Sequence, residues 1–294
     1  MALLDKDALG RVVRADGKRI HYLQGGDGKT PVVYVPGLGV WSPHHRVVHE
    51  KLSKVSCAYL FDRPGYGWSE LGSLPRTIEA NARDLNAAFL AAGIDVPAVI
   101  AGHSYGGLVA LSFAVLFPGK VKAIILVDSA HPDQWQRFPP AIGSLIKDRP
   151  PLLYRQAALA AVGQFEPTLD DHRYSMTEPA DEAAVLAATA EPGVHVAMAS
   201  ELENADAPPD VFPLKSGKPI ECPVTVLTAK DSFFHFIPDR ESDLFKACQR
   251  EWMALQSEYL SVSRQSQHAF SEGDHALHVS DPDSIVAAFK TYLE

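Results

Sequence analysis

The stretch Ile100-Ala101-Gly102-His103-Ser104-Tyr105-Gly106-Gly107 (IAGHSYGG) governs how the rest of the chain is read. It sets one serine between glycines, directly after the apolar run PAVIA at 97–101. Leu108, Leu111 and Val115 follow at helical spacing, and Pro118-Gly119 ends that pattern. Strand, sharp turn, helix is the setting in which G-x-S-x-G presents a serine hydroxyl as a nucleophile. The turn leaves little room two residues either side of the serine, so glycine is required there. The helix start adds free backbone N–H groups and the positive end of its dipole. In this setting Ser104 reads as a nucleophile rather than as a small residue in a loose turn.

Working outward, short β-branched runs alternate with helical patterns. RIHYLQ (19–24) alternates as a half-buried strand, whereas PVVYVPG (31–37), CAYLFD (57–62), PAVIAG (97–102), KAIILVD (122–128) and PVTVLTA (223–229) look buried on both faces. Ile78, Ala82, Leu85 and Phe89 form one apolar helical stripe. This order predicts an α/β fold, a doubly wound and mostly parallel sheet with helices on both faces. After the loop KDSFFHFIPDR, a helix is expected across roughly 241–260, then a final strand over SRQSQHAF. A closing helix follows, with Asp281 as N-cap and Pro282 in its first position. The rhythm breaks between 131 and 219, where twelve of the 22 prolines fall among short alanine-rich helical stretches. That segment is expected to be a helical lid inserted between two late strands, leaving 1–130 and 220–294 as the core domain. Its Trp135, Phe138, Tyr154, Phe165 and Tyr174 are candidates to line an apolar pocket.

Composition narrows the partners. The 294 residues carry a net charge of -9, which disfavours a nucleic-acid backbone as partner. No run approaches the length of a membrane span, and the charged N-terminal stretch is not a secretory signal. The three cysteines Cys57, Cys222 and Cys248 form no metal pair or disulfide framework, and Cys57 and Cys222 read as buried free thiols. A soluble cytoplasmic protein acting on a small molecule is the expectation, with the oligomeric state left open.

A serine hydroxyl needs a base. DHALHVSDP, after the last predicted strand, supplies His275. His278 raises the question of a metal, but no third histidine or acid lies at ligand spacing near it in the sequence, so no metal is expected. His103 is expected to be buried and satisfied. The glycines of VPGLG (35–39) let backbone approach a substrate. The N–H groups of Leu38 and Tyr105 would form the oxyanion hole, and Gly37, Gly39, Trp41, Trp135 and Phe138 are candidate substrate contacts. Two aspartates end strands where they could orient His275: Asp128 after AIILV and Asp231 after VTVLTAK.

In order along the chain, YVPGLG, FDRPGYGWSE, AGHSYGGLVA, LVDSAHPDQ and DHALHVSDP resemble the α/β-hydrolase superfamily over nearly the whole length. DRPGYGWSE and VDSAHPDQ are similar to a lid-bearing serine hydrolase subgroup. One departure is Asp274, where relatives usually carry glycine directly before the histidine. The resemblance implies the chain order Ser, acid, His. The subgroup pattern favours Asp128 as acid, and the general superfamily pattern favours Asp231, so Asp128 is the first choice and Asp231 the alternative.

The expected activity is carboxylesterase-like cleavage of a small to medium, partly apolar ester or lactone through an acyl-enzyme, without cofactor. Serine at 104 argues against epoxide hydrolase or dehalogenase chemistry, which needs a carboxylate nucleophile. Carbon–carbon bond hydrolysis, amide hydrolysis and perhydrolysis use the same residues. A ligand-binding or signalling protein with a slow triad is the reading from another class.

Overall fold

The computed structural model describes residues 10–170, 172, 178–233 and 237–293. In chain order the first half runs β1 (Arg11–Ala15), β2 (Lys18–Gly25), β3 (Val32–Val35), α1 (Arg46–Ser53), β4 (Ala58–Phe61), α2 (Ile78–Ala91), β5 (Ala98–His103), α3 (Tyr105–Leu116) and β6 (Val121–Val127). Helices α4 (Gln134–Arg137), α5 (Pro140–Lys147), α6 (Pro150–Ala161), α7 (Glu182–Thr189), α8 (Pro192–Glu203) and α9 (Pro213–Ser216) follow. The chain closes with β7 (Val224–Asp231), α10 (Asp243–Glu258), β8 (Ser266–Asp274), α11 (Leu277–Ser280) and α12 (Pro282–Lys290). Among the described residues no strand lies between β6 and β7, and no helix is long and apolar enough to cross a membrane.

The eight strands form one sheet in the order β1-β2-β4-β3-β5-β6-β7-β8. β1 and β2, and β2 and β4, pair antiparallel, and every later pair is parallel. Successive side chains point to opposite faces. Val33, Val35, Ile100, Ile124 and Leu126 therefore enter one core with Ile78, Phe89, Leu108 and Phe113 from α2 and α3. Val32, Tyr34, Val99, Ile125 and Val127 enter the other with Val48, Leu52, Ile285 and Phe289 from α1 and α12. Because both faces are covered, these strands read as continuous apolar runs. Asp281 caps α12 by accepting from Ser284 N–H, with Pro282 in the first turn.

Three local expectations change. β1 escapes a search for apolar runs because it is an edge strand with a largely exposed face. β2 is not half-buried in alternation: His21, Tyr22 and Leu23 are all buried. The odd member, His21, sits 2.8 Å from the buried Asp62 carboxylate and packs against Trp68. Cys57 and Cys222 are only half-buried, and Cys248 is the buried thiol; all three are free.

The helices between β6 and β7 pack directly on core elements. Phe138 and Ile142 join Phe233, Phe245 and Trp252. Val185, Val194 and Ala197 join Trp41, Tyr66 and Trp68. These helices thus pack on residues that follow β3, β4 and β7 and on α10.

Candidate active site

Ser104 stands between β5 and α3 with φ 51° and ψ -124°, in the left-handed half of backbone space. A non-glycine residue held there stores on the order of 1–3 kcal/mol of strain. Its flanks explain how it is held. A Cβ on Gly102 would come within 2.2 Å of Gly106 O, and one on Gly106 within 2.2 Å of Val35 O. Ser104 N–H donates to Val127 O at 3.1 Å, while Gly107 and Ala130 N–H donate to Ser104 O. Both neighbouring strands therefore clamp the turn.

The hydroxyl points at a histidine. Ser104 Oγ lies 3.0 Å from His275 Nε2, and His275 Nδ1 lies 2.7 Å from Asp128 Oδ2. These partners fix the tautomer: Nδ1–H donates to the carboxylate, leaving Nε2 to accept from the serine. His275 sits between β8 and α11, and its carbonyl accepts from His103 Nε2 at 2.7 Å. His103, beside the serine, is thus buried and occupied with holding the backbone of the histidine.

Asp128 is fully buried at the end of β6, and it too has positive φ, 41°. A buried carboxylate requires partners. Its Oδ1 accepts from Trp252 Nε1 at 2.8 Å and Ala229 N–H at 3.0 Å, with Ser232 Oγ also at 3.0 Å. Asp231 lies at the end of β7, where its Oδ2 accepts from Arg240 Nη2 at 2.8 Å and Nε at 3.1 Å. The structure brings Ser104, His275 and Asp128 together and leaves Asp231 in a partly exposed ion pair.

A cavity of about 710 Å³ opens over this group, and Ser104, His275, Leu38, Tyr105, Trp135 and Phe138 all face it. Gly37, Gly39 and Trp41 line it as well. Gly37 lies against the elbow, since a Cβ there would meet His103 Nδ1 at 3.1 Å and Ser104 Cβ at 3.2 Å. Gly39 has φ 73° and faces Met198 of α8. Of the other aromatics named from the sequence, Phe165 reaches the cavity. Tyr154 is more than a third exposed and donates to Glu203 instead, while Tyr174 lies outside the described residues. Arg149 also lines the cavity, whereas Arg137 pairs with Glu251 and Glu258.

Two clusters carry no signal in sequence spacing. His45, from the far end of the chain, meets His103 and His278, with ring nitrogens within 4.8 Å of one another. The sequence near His278 holds no third histidine at ligand spacing, yet the fold brings one in, because distance along the chain is not distance in the fold. The rings pack at tilted or edge-on angles, with His45 and His278 centroids 4.0 Å apart and His103 4.9 Å from His275. Burial first, then the neighbouring His278 and His103, holds His45 well below the usual imidazole pKa, so it is neutral. The second cluster joins Arg63 to Glu201, both buried, at 2.9 Å.

A parallel α/β sheet with a serine on a strained strand-to-helix turn, backed by histidine and aspartate, defines a class of protein. The chain belongs to the alpha/beta hydrolase family, whose model matches residues 32–288. Among curated proteins it is 33% identical over 131 residues to the uncharacterized protein YbdG of Bacillus subtilis, covering 44% of this chain and 40% of that one. It is 38% identical over 96 residues to the pimeloyl-[acyl-carrier protein] methyl ester esterase of Chromobacterium violaceum, covering 33% and 35%. The matched part thus spans less than half the length of these relatives. Among solved structures, a putative epoxide hydrolase from Pseudomonas aeruginosa superposes with a TM-score of 0.71 at 19% identity, covering 97% of each chain. At that identity the likeness is one of fold.

Proposed function

We propose that this protein is a serine hydrolase that cleaves a carboxylic ester or lactone of a small to medium, partly apolar substrate through an acyl-enzyme. The observation that carries the reading is the unbroken relay at the cavity floor, 3.0 Å from Ser104 Oγ to His275 Nε2 and 2.7 Å from His275 Nδ1 to Asp128. In this reading His275 takes the serine proton as Oγ attacks the carbonyl carbon. The oxyanion is held by the N–H groups of Leu38 and Tyr105, and Asp128 stabilises the imidazolium. His275 then protonates the leaving alkoxide. Water, deprotonated by the same histidine, releases the acid and restores Ser104.

Helices α4 to α9 act here as a lid. Their Trp135, Phe138 and Phe165 face the cavity, which favours a substrate with an apolar portion. An ester as the bond cleaved is consistent with the methyl ester esterase among the relatives. The test is hydrolysis of p-nitrophenyl butyrate, with labelling by a fluorophosphonate, for wild type and Ser104→Ala. Wild type is expected to turn over the ester and take the label, and the variant to do neither. Equal release of nitrophenol by both proteins would remove Ser104 from the mechanism.

A further inference from the structure

Glu201, on α8, is completely buried. Its Oε1 accepts from Arg63 Nε at 2.9 Å and Asn81 Nδ2 at 2.8 Å, and its Oε2 accepts from Arg63 Nη2 at 2.9 Å and the Tyr66 hydroxyl at 2.7 Å. Four hydrogen bonds from three side chains, two of them from the Arg63 cation, offset the desolvation of a carboxylate. They come from the turn after β4 and from α2, so one side chain of the β6–β7 insertion ties together two parts of the core.

The same guanidinium reaches the glycine loop. Arg63 Nη1 donates to Pro36 O, and Nη2 donates to Gly37 O at 2.9 Å. The Gly37 carbonyl and the Leu38 N–H are two ends of one planar trans peptide and point in opposite directions. A cation fixed on the oxygen therefore aims the N–H away from Arg63, and it polarises that N–H as a donor. Asn81 Nδ2, with its second hydrogen, donates to the Tyr105 hydroxyl at 3.2 Å, and Arg63 lies over the Tyr105 ring at 5.3 Å. Both residues assigned to the oxyanion hole are thus braced by groups that converge on Glu201.

We propose that Glu201 is a positioning residue for the oxyanion hole: through Arg63 and Asn81 its carboxylate orients the Leu38 peptide and the Tyr105 end of α3. The inference rests on the acyl-transfer reading above. In this reading the packing of α8 on the core contributes to transition-state stabilisation.

The test compares wild type, Glu201→Gln and Tyr66→Phe, with active sites counted by fluorophosphonate titration. Glu201→Gln keeps the shape and removes the charge. It is expected to lower kcat for p-nitrophenyl butyrate by roughly 10- to 100-fold with KM within about twofold, since a misaimed donor costs less than the 10²–10³ of a deleted one. Affinity for a trifluoromethyl ketone, whose serine adduct carries an oxyanion, should fall in parallel. Tyr66→Phe strands no charge and keeps the test available if Glu201→Gln does not fold. It is expected to show the same signature at roughly 3- to 10-fold, reflecting one lost neutral donor. Phe289→Leu, a buried change in α12 on the opposite sheet face, serves as the stability control and should lower Tm without changing kcat per titrated site. If Glu201→Gln and Tyr66→Phe also lower Tm alone, or if KM rises while kcat holds, the inference is overturned. A wild-type protein that neither hydrolyses esters nor takes the phosphonate would instead overturn the acyl-transfer reading, and this inference with it.

Discussion

Asp128 Oδ2 stands 2.7 Å from His275 Nδ1, while Asp231, at the end of the next strand in the sheet, spends its carboxylate on Arg240 at 2.8 Å. The two aspartates end adjacent parallel strands, and only one can hold the imidazole tautomer. Asp128→Asn is expected to reduce kcat by about 10⁴-fold, because an amide can present its N–H to Nδ1 and favour the wrong tautomer. Asp231→Asn removes a partly exposed ion pair and should leave kcat within a factor of about two. Steady-state rates on one chromogenic ester decide it, and the opposite ranking would transfer the acid role to Asp231.

Trp252 gives the second prediction. Its indole N–H is a 2.8 Å donor to Asp128 Oδ1, and its ring lies 5.8 Å from that of His275, edge to face. Trp252→Phe keeps much of the packing and deletes the donor. A hydrogen bond to a charged, buried group is worth about 1.5–3 kcal/mol. The variant should unfold more readily by an amount of that order, and its kcat should fall by roughly three- to tenfold. A variant with unchanged urea midpoint and unchanged rate would mean that Ala229 and Ser232 satisfy the carboxylate without it.

How much of this was legible before the fold was known depends on the kind of signal. The central strands from β3 to β7 stand out because both of their faces are buried, so the sequence there is mostly apolar, with few polar residues such as Lys122, Thr225 and Thr228. Ser104 and His275 stand out because a strained turn and a histidine before the last helix impose local patterns. Choosing between Asp128 and Asp231 needed tertiary information, since each simply ends a strand; what separates them is Arg240 on one side and Trp252 on the other. Glu201, Trp252 and His45 leave no local trace at all. Each matters through a partner far away in the chain, and neither helical nor strand periodicity records such pairs.

The glycines of the elbow give a steric prediction. A Cβ on Gly106 would sit 2.2 Å from Val35 O and 2.6 Å from Pro36 O, both backbone atoms that cannot swing aside. Gly106→Ala must therefore push α3 away from β3 and tilt the Tyr105 N–H. Overpacking of this kind costs about 1–3 kcal/mol and is expected to abolish measurable ester turnover. Gly119→Ala is the matched control, since its Cβ would meet nothing within 4 Å. Thermal unfolding and rates of the two variants should separate cleanly; equal behaviour would mean that the elbow tolerates a larger opening than its contacts imply.

The buried histidines set how the fold responds to acid. His44 and His45 are fully buried, and desolvation, reinforced by neighbouring imidazoles, holds both well below the usual value of 6.5. For His45 the cations and imidazoles facing it are His278, His103, His44 and Arg63. Both residues are neutral in the folded state, whereas in the unfolded chain they gain protons once the pH drops below roughly 6.5. Unfolded molecules then bind more protons than folded ones, so stability is fully present above that pH and is lost as the pH falls below it. Each such histidine contributes a loss of about 1.4 kcal/mol per pH unit until its own folded-state pKa is reached. Urea unfolding at pH 7.5, 6.5, 5.5 and 5.0 should therefore show a steepening decline before carboxylates begin to titrate. His45→Phe, which retains a ring against Tyr34, should make that decline shallower by close to one proton. A flat profile across this range in the wild type would mean that these imidazoles are protonated to the same extent in the folded and unfolded protein.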